Sequence, residues 1–175
     1  MNELDHSAVL TYFAYGSNMS THRLQGRVPS ARAMGIARLA GHQLRWHKIS
    51  KKDGSGKCDV IVSDAFDASV YGVLYEIKAL EKSALDRFEG LGFGYQEKSV
   101  EVDLQGKIVQ ALTYFATNTD ASLVPWTWYR AHVVAGAREH GLPTAYIEAL
   151  EAVAAEIDPD HERHHQETAI HDRRR

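Results

Sequence analysis

Seven short runs rich in β-branched and aromatic residues crowd the first two thirds of the chain, at 9–15, 35–39, 43–47, 60–66, 70–77, 98–104 and 108–116. Their length and composition, with polar and glycine-bearing breaks between them, mark them as strands. Within 43–47, Leu44 and Trp46 alternate with Gln43, Arg45 and His47, the period of a half-buried strand. Asp53-Gly54, inside "SKKDGSGKCD", is the strongest turn signal of the chain, and Gln105-Gly106-Lys107 joins the last two runs as a hairpin. This density of strand limits the fold more than any other feature.

Three helices are predicted beside the strands. The first runs from Ala79 to Phe88 or Glu89, with Gly90 placed to end it. The second has Pro125 in its first turn and stops at Gly141, with Tyr129, Val133 and Gly136 on one face. The third runs from Thr144 to Ile157 along a stripe of Ile147, Leu150, Ala154 and Ile157, and ends at Asp158-Pro159. Beyond it, "HERHHQETAIHDRRR" has no apolar periodicity. Four of the ten histidines lie there, yet a free tail lacks the outer partners that orient metal ligands, so it reads as solvated rather than metal-binding. The expected organisation is one domain over 1–158 followed by a polar tail over 159–175.

Charge and composition exclude several classes of function. A formal net charge of −3 gives no electrostatic footprint for nucleic acid or an anionic membrane. No apolar run approaches the roughly 18 residues of a membrane span. The opening "MNELDHSAVL" has neither a basic segment nor an apolar core, so no secretory leader is expected. The single cysteine, Cys58, fits a reducing, cytoplasmic setting and reads as a structural thiol.

Two stretches can carry chemistry. In "YFAYGSNMS", an aromatic strand stops at Gly16-Ser17-Asn18. Gly16 allows a close approach of backbone to ligand, and successive amides in a tight turn form an anion-binding concavity. Asn18 can fix the turn, and Ser20 or Thr21 can cap a short helical turn over "THRLQGR". A strand ending in such residues is more often only a turn. The second stretch is "LEKSALDRFEGLGFGYQEKSVEV", where Leu80, Ala84, Leu85 and Phe88 form one apolar arc. Glu89 falls about 40° beyond Leu85, in the last turn. Partial burial and the negative end of the helix dipole would both raise its pKa toward that of a general base. A solvated helix-end glutamate is the commoner arrangement, and the residues alone leave both open. The glycine-rich "GLGFGY" beside it reads as a loop or lid. Ser17 as a nucleophile would need a base such as His42 or His47, and the G-x-S-x-G elbow is absent. No phosphate-cradling pattern is present.

"YFAYGSNM", "LDRFEG" with its following "GY", and "WYRAHVVAGAREHGLP" occur in an order and spacing that resembles the γ-glutamylcyclotransferase family, from Tyr12 to about Ile157. "WHKISKKDGSGKCDVIV" further resembles bacterial members. The resemblance implies an α+β fold, a small mixed β-barrel with flanking helices. It implies conversion of a γ-glutamyl amino acid or amide into 5-oxoproline and a free amine, with no metal, cofactor or covalent nucleophile. Tyr12, Phe13, Ala14, Tyr15, Gly16 and Ser17 match the family's substrate-binding loop, which Asn18 continues; Tyr129 matches a substrate-contacting tyrosine and Glu89 the catalytic glutamate. A basic residue should meet the substrate carboxylate, with Arg23, Arg27 and Arg45 as unranked candidates. The expected partner is a small γ-glutamyl molecule, without nucleic acid or membrane, and Trp126 and Trp128 leave room for a homodimer. The competing readings are a binding module of the same fold and a serine hydrolase using Ser17.

Overall fold

A computed structural model describes residues 7–172. The first six residues, part of the stretch read for a leader, and the last three of the polar tail lie outside the described residues. All seven predicted strands form: β1 (Val9–Ala14), β2 (Arg32–Ala40), β3 (His42–Ile49), β4 (Gly56–Val62), β5 (Ser69–Lys78), β6 (Tyr95–Leu104) and β7 (Lys107–Ala116). Five of them close into a barrel in the order β1-β5-β2-β6-β7. β1 and β7 complete the circle in parallel, with Tyr12 opposite Leu112, while the other neighbours run antiparallel. The barrel is therefore mixed, as the resemblance implied. Phe13, Val73, Leu74, Tyr75, Ile77 and Val102, all on barrel strands, are buried without exposed surface. A Cβ at Gly72 would lie 2.4 Å from the Ala14 carbonyl oxygen and 2.7 Å from the Phe13 ring, so β1 and β5 close on each other only over a glycine. At the predicted hairpin, Gln105 and Gly106 both take positive φ, 54° and 89°, which matches the twist of the flanking strands.

Among the named strands β3 and β4 pair with each other alone, and they form an arm beside the barrel. The Asp59 side chain ties it down by accepting the Ala116 N–H at 2.7 Å at the end of β7. β4 begins at Gly56 rather than at Val60, because Gly56 and Lys57 already pair with Ile49 and Lys48 of β3.

Five α-helices are present: α1 (Thr21–Gln25), α2 (Lys82–Glu89), α3 (Thr127–His140), α4 (Thr144–Glu151) and α5 (His161–Asp172). Ser20 occupies the N-cap position of α1 but makes no side-chain cap bond. Gly90 and Gly141 end α2 and α3 in the left-handed region, at φ 72° and 70°, as predicted. Two boundaries differ, at α3 and α4. α3 starts after Pro125, at Thr127, because the Glu156 carbonyl accepts the Thr127 N–H at 2.8 Å. The same return stretch ends α4 at Glu151 rather than Ile157. Glu156 N–H donates to the Pro125 carbonyl, Val153 offers its carbonyl to Arg130, and Ile157 is left 69% exposed. Of the apolar arc expected on α2, only Leu85 is fully buried.

The largest correction concerns the segment read as a solvated tail. Asp160 caps α5 by accepting the Arg163 N–H, and Arg163 clamps the buried Asp158 carboxylate with two bonds of 2.6 and 2.7 Å. Asp158 also accepts the Trp128 indole N–H at 2.8 Å, so α5 is fastened to α3. Polar pairs hold this helix, which is why no apolar stripe announced it. Among the described residues, no helix is long and apolar enough to cross a membrane.

Candidate active site

The chain leaves the barrel at Tyr15 and turns immediately. Ser17–Met19 form one 3₁₀ turn, and all three residues are buried. Gly136 of α3 packs under it: a Cβ there would lie 2.6 Å from the Ser20 nitrogen and 2.7 Å from Met19 Cβ. Gly16 has a negative φ of −113°, so its smallness serves space rather than a left-handed turn. A Cβ would meet Cys58 Cβ at 3.2 Å and the Tyr129 hydroxyl at 3.4 Å. Among the described residues, no backbone carbonyl accepts the N–H groups of Gly16, Ser17 or Asn18, as expected where a helical turn begins.

These residues line a cavity of about 40 Å³, which opens into a cleft of about 730 Å³. Tyr12, Tyr15, Gly16, Ser17, Asn18, Glu89 and Tyr129 all contribute to the inner wall. Phe13 and Ala14 do not. Both are fully buried in the hydrophobic core, and Thr113 donates to the Phe13 carbonyl.

Glu89 reaches this wall from the end of α2. Its Oε1 accepts the Asn18 amide at 2.5 Å and the Tyr12 hydroxyl at 3.1 Å. Asn18 is itself held by Arg27, which donates to its Oδ1 at 2.9 Å. Burial raises the Glu89 pKa, against the lowering influence of Arg27, the Tyr12 hydrogen bond, Lys48 and Arg23. Tyr12 is pushed well above its ordinary value, first by burial and then by the Glu89 charge, so its phenol stays a neutral donor. Burial pushes the Cys58 thiol up to about 12, which makes it an inert wall rather than a nucleophile. The Tyr129 hydroxyl accepts the Cys58 N–H at 3.2 Å.

Three wall residues escaped the sequence reading: Cys58, Tyr95 and Tyr114. Tyr95 donates to the Cys58 carbonyl at 2.6 Å, and Tyr114 donates to Asp86 at 2.5 Å. Each comes from a different strand, so only the register of the sheet unites them. Of the three candidate arginines, Arg23 and Arg27 line the cleft and Arg45 does not. Arg23 Nε donates to Ser17 Oγ at 3.2 Å, the hydroxyl's one hydrogen bond among the described residues. His47 is engaged with Asp59 at 2.8 Å and His42 with the Ala40 carbonyl and Lys98. This leaves Ser17 facing a guanidinium instead of a base, an arrangement that does not activate a nucleophile.

α5 completes the outer cleft. Its Glu167 lies 2.7 Å from His132 of α3 and 3.7 Å from Arg23, and with Arg163 it forms part of the lining.

Residues 69–150 match the model of the AIG2-like family. The chain is 35% identical over 147 residues to the γ-glutamylcyclotransferase of Homo sapiens, an alignment covering 81% of this chain and 77% of the relative. The γ-glutamylcyclotransferase of Mus musculus is 34% identical, with the same coverage. A solved structure described as a γ-glutamyl cyclotransferase superposes with a TM-score of 0.78 at 29% identity, covering 89% of this chain and 97% of that one.

Proposed function

The chain belongs to the γ-glutamylcyclotransferase family, and from that premise we propose that it cyclises a γ-glutamyl amino acid or amide to 5-oxoproline, with Glu89 as general acid and base. The observation that carries this reading is the Glu89 carboxylate, raised in pKa by burial and held by Tyr12 and Asn18 at the junction of cavity and cleft.

In the substrate, the α-ammonium must lose a proton before its nitrogen can attack the γ-carbonyl. Glu89 takes that proton, the lactam C–N bond forms, and the carbonyl oxygen becomes an oxyanion. Collapse breaks the γ-amide C–N bond, and the departing amine receives the proton back from Glu89. Attacking and leaving nitrogens sit on the same carbon in turn, so one carboxylate suffices for both transfers. The nucleophile and the carbonyl belong to one molecule, and holding the folded conformer supplies much of the acceleration. The N–H groups of Gly16, Ser17 and Asn18, with no backbone acceptor among the described residues, are the donors suited to the oxyanion or to the head-group carboxylate. Arg23 and Arg27 supply the positive charge for that carboxylate. Tyr129, whose hydroxyl lies beside Gly16, helps to bound the conformer. A lone buried thiol suits a reducing cytoplasm as the place of action.

The test is 5-oxoproline release by the purified wild-type chain from γ-glutamyl-alanine, glutathione and a γ-glutamyl amine. Release from at least one donor is expected. Binding of these donors without any release would favour a binding module instead.

A further inference from the structure

Eight of the residues lining the outer cleft are lysines or arginines, against three carboxylates, Asp53, Glu89 and Glu167. This excess belongs to a chain of formal net charge −3, so the positive charge is concentrated at the cleft. Some of it is internally matched. Lys57 meets Asp53 at 2.8 Å, Arg23 lies 3.7 Å from Glu167, and Arg163 meets Asp158 at 2.6 Å. Among the described residues, Arg27, Lys48, Lys51, Lys52 and Arg87 take part in no ion pair.

Aromatic faces hold several of these cations against the cleft. Lys48 Nζ lies 4.7 Å from the Tyr95 ring centroid, the Arg27 guanidinium 5.3 Å from Phe88, and Lys51 Nζ 5.8 Å from Phe93. Lys51 and Lys52 stand at the tip of the β3–β4 arm, in "SKKDGSGKCD", a stretch that sequence alone marks only as a turn. Through Lys51 the arm spans toward the glycine-rich loop that follows Glu89. Burial lowers the pKa of Lys48, and Arg23 is lowered by burial and by the like charge of Arg27, so both are cations that an anionic ligand would relieve.

A γ-glutamyl amino acid with a neutral side chain brings two carboxylates, one on the glutamyl head and one on the leaving half. Arg23 and Arg27, next to Ser17 and Asn18, suit the first, and Lys48, unpaired among the described residues and with a charge that acts on Glu89, suits the second. Lys51 and Lys52 at the arm tip then remain without an ion-pair partner among the described residues. Resting on the proposed cyclisation, we propose that the cleft selects donors whose leaving half is itself acidic: γ-glutamyl-glutamate, γ-glutamyl-aspartate and short γ-linked oligoglutamyl chains. Lys51 and Lys52 take the additional carboxylate. The chemistry is unchanged: one amide C–N bond breaks, one lactam C–N bond forms, a proton passes from the α-ammonium to the leaving amine, and no co-reactant is consumed. Because the attacking α-amine must be free, an oligoglutamyl chain loses residues only from its amino end, one 5-oxoproline at a time.

The test pairs binding with turnover. Calorimetry on Glu89→Gln measures affinity for γ-glutamyl-glutamate, γ-glutamyl-alanine and γ-glutamyl-lysine, and 5-oxoproline release by wild type gives kcat/KM for the same three. At low ionic strength the glutamate donor should lead alanine by about tenfold or more in both readouts, with lysine weakest. The lead should shrink toward one in ~1 M salt, where the Debye length is about 3 Å, and in a Lys51→Gln/Lys52→Gln double variant. Equal or better binding and turnover of the alanine donor, or a lead untouched by the double variant, overturns the assignment. A glutamate lead in binding without 5-oxoproline from any donor would overturn the proposed reaction while upholding the acidic-ligand cleft.

Discussion

Glu89 is a carboxylate that folding has made harder to ionise, and this has consequences on both sides of the pH scale. In its proposed role of proton acceptor it must be ionised before turnover, so kcat/KM should rise with pH along an acid limb whose midpoint lies above the ordinary glutamate value of about 4.3. The effect on stability has the opposite sign. With its pKa raised by burial, Glu89 favours the folded state below the ordinary carboxylate range and penalises it as pH rises through the raised value. Glu89→Gln should therefore melt at the same or a higher temperature than wild type at neutral pH, with the gap closing in acid. A markedly lower melting temperature at pH 7 would identify the charge as a structural asset. Gly136 makes a second residue-scale test, because its missing Cβ is where α3 meets the Ser17–Met19 turn. Gly136→Ala should cost about 1–3 kcal/mol by denaturant unfolding and lower turnover with it, since the turn that carries Asn18 must shift. Unchanged stability would mean that the two elements part without effort. The residue types at this site were legible in "YFAYGSN" and "RFEG". What could not be read was that Phe13 and Ala14 stay out of the cavity wall, because that depends on how β1 packs in the closed barrel.

At the scale of elements, α5 carries the clearest lesson. Its apolar face is too weak to announce a helix, and its attachment lies in partners far along the chain: Asp158 for Arg163, His132 and Arg23 for Glu167. A polar helix of this kind shows itself only through its start, Pro159-Asp160 followed by Glu162, which fits a capped first turn once a helix is suspected. Arg163 holds the Asp158 carboxyl well below the usual range, so the clamp stabilises the fold above that range and is lost as pH falls through it and beyond. Asp158→Ala should cost about 3 kcal/mol, measured by denaturant unfolding, because it strands a guanidinium and the Trp128 N–H. Truncation after Pro159 should lower the melting temperature and raise KM, since Arg163 and Glu167 form part of the cleft wall. A truncated chain indistinguishable from wild type in both would return α5 to the status of a passive tail.

Across the whole molecule, the barrel brings distant segments to one point. β1 supplies Tyr12 and the turn, α2 supplies Glu89, β6 and β7 supply Tyr95 and Tyr114, and α3 supplies Tyr129. The strands were legible because period-two patterns and glycine-bearing breaks are local properties. Tyr95 and Tyr114 were not, since what makes them wall residues is the register of β6 against β7 and the closure of the barrel. Charge tells the same story, because the total of −3 conceals a cationic cleft that only folding assembles. Association of an anionic donor should accordingly weaken with salt, and kcat/KM should fall as ionic strength rises from ~0.01 to ~1 M. The claim on which all of this converges is the role of Glu89. The most direct measurement is 5-oxoproline release by wild type and Glu89→Gln with one productive donor, alongside calorimetric binding of that donor to the variant. The account predicts retained binding and a loss of turnover of at least about a hundredfold. Near-normal turnover by Glu89→Gln would contradict it.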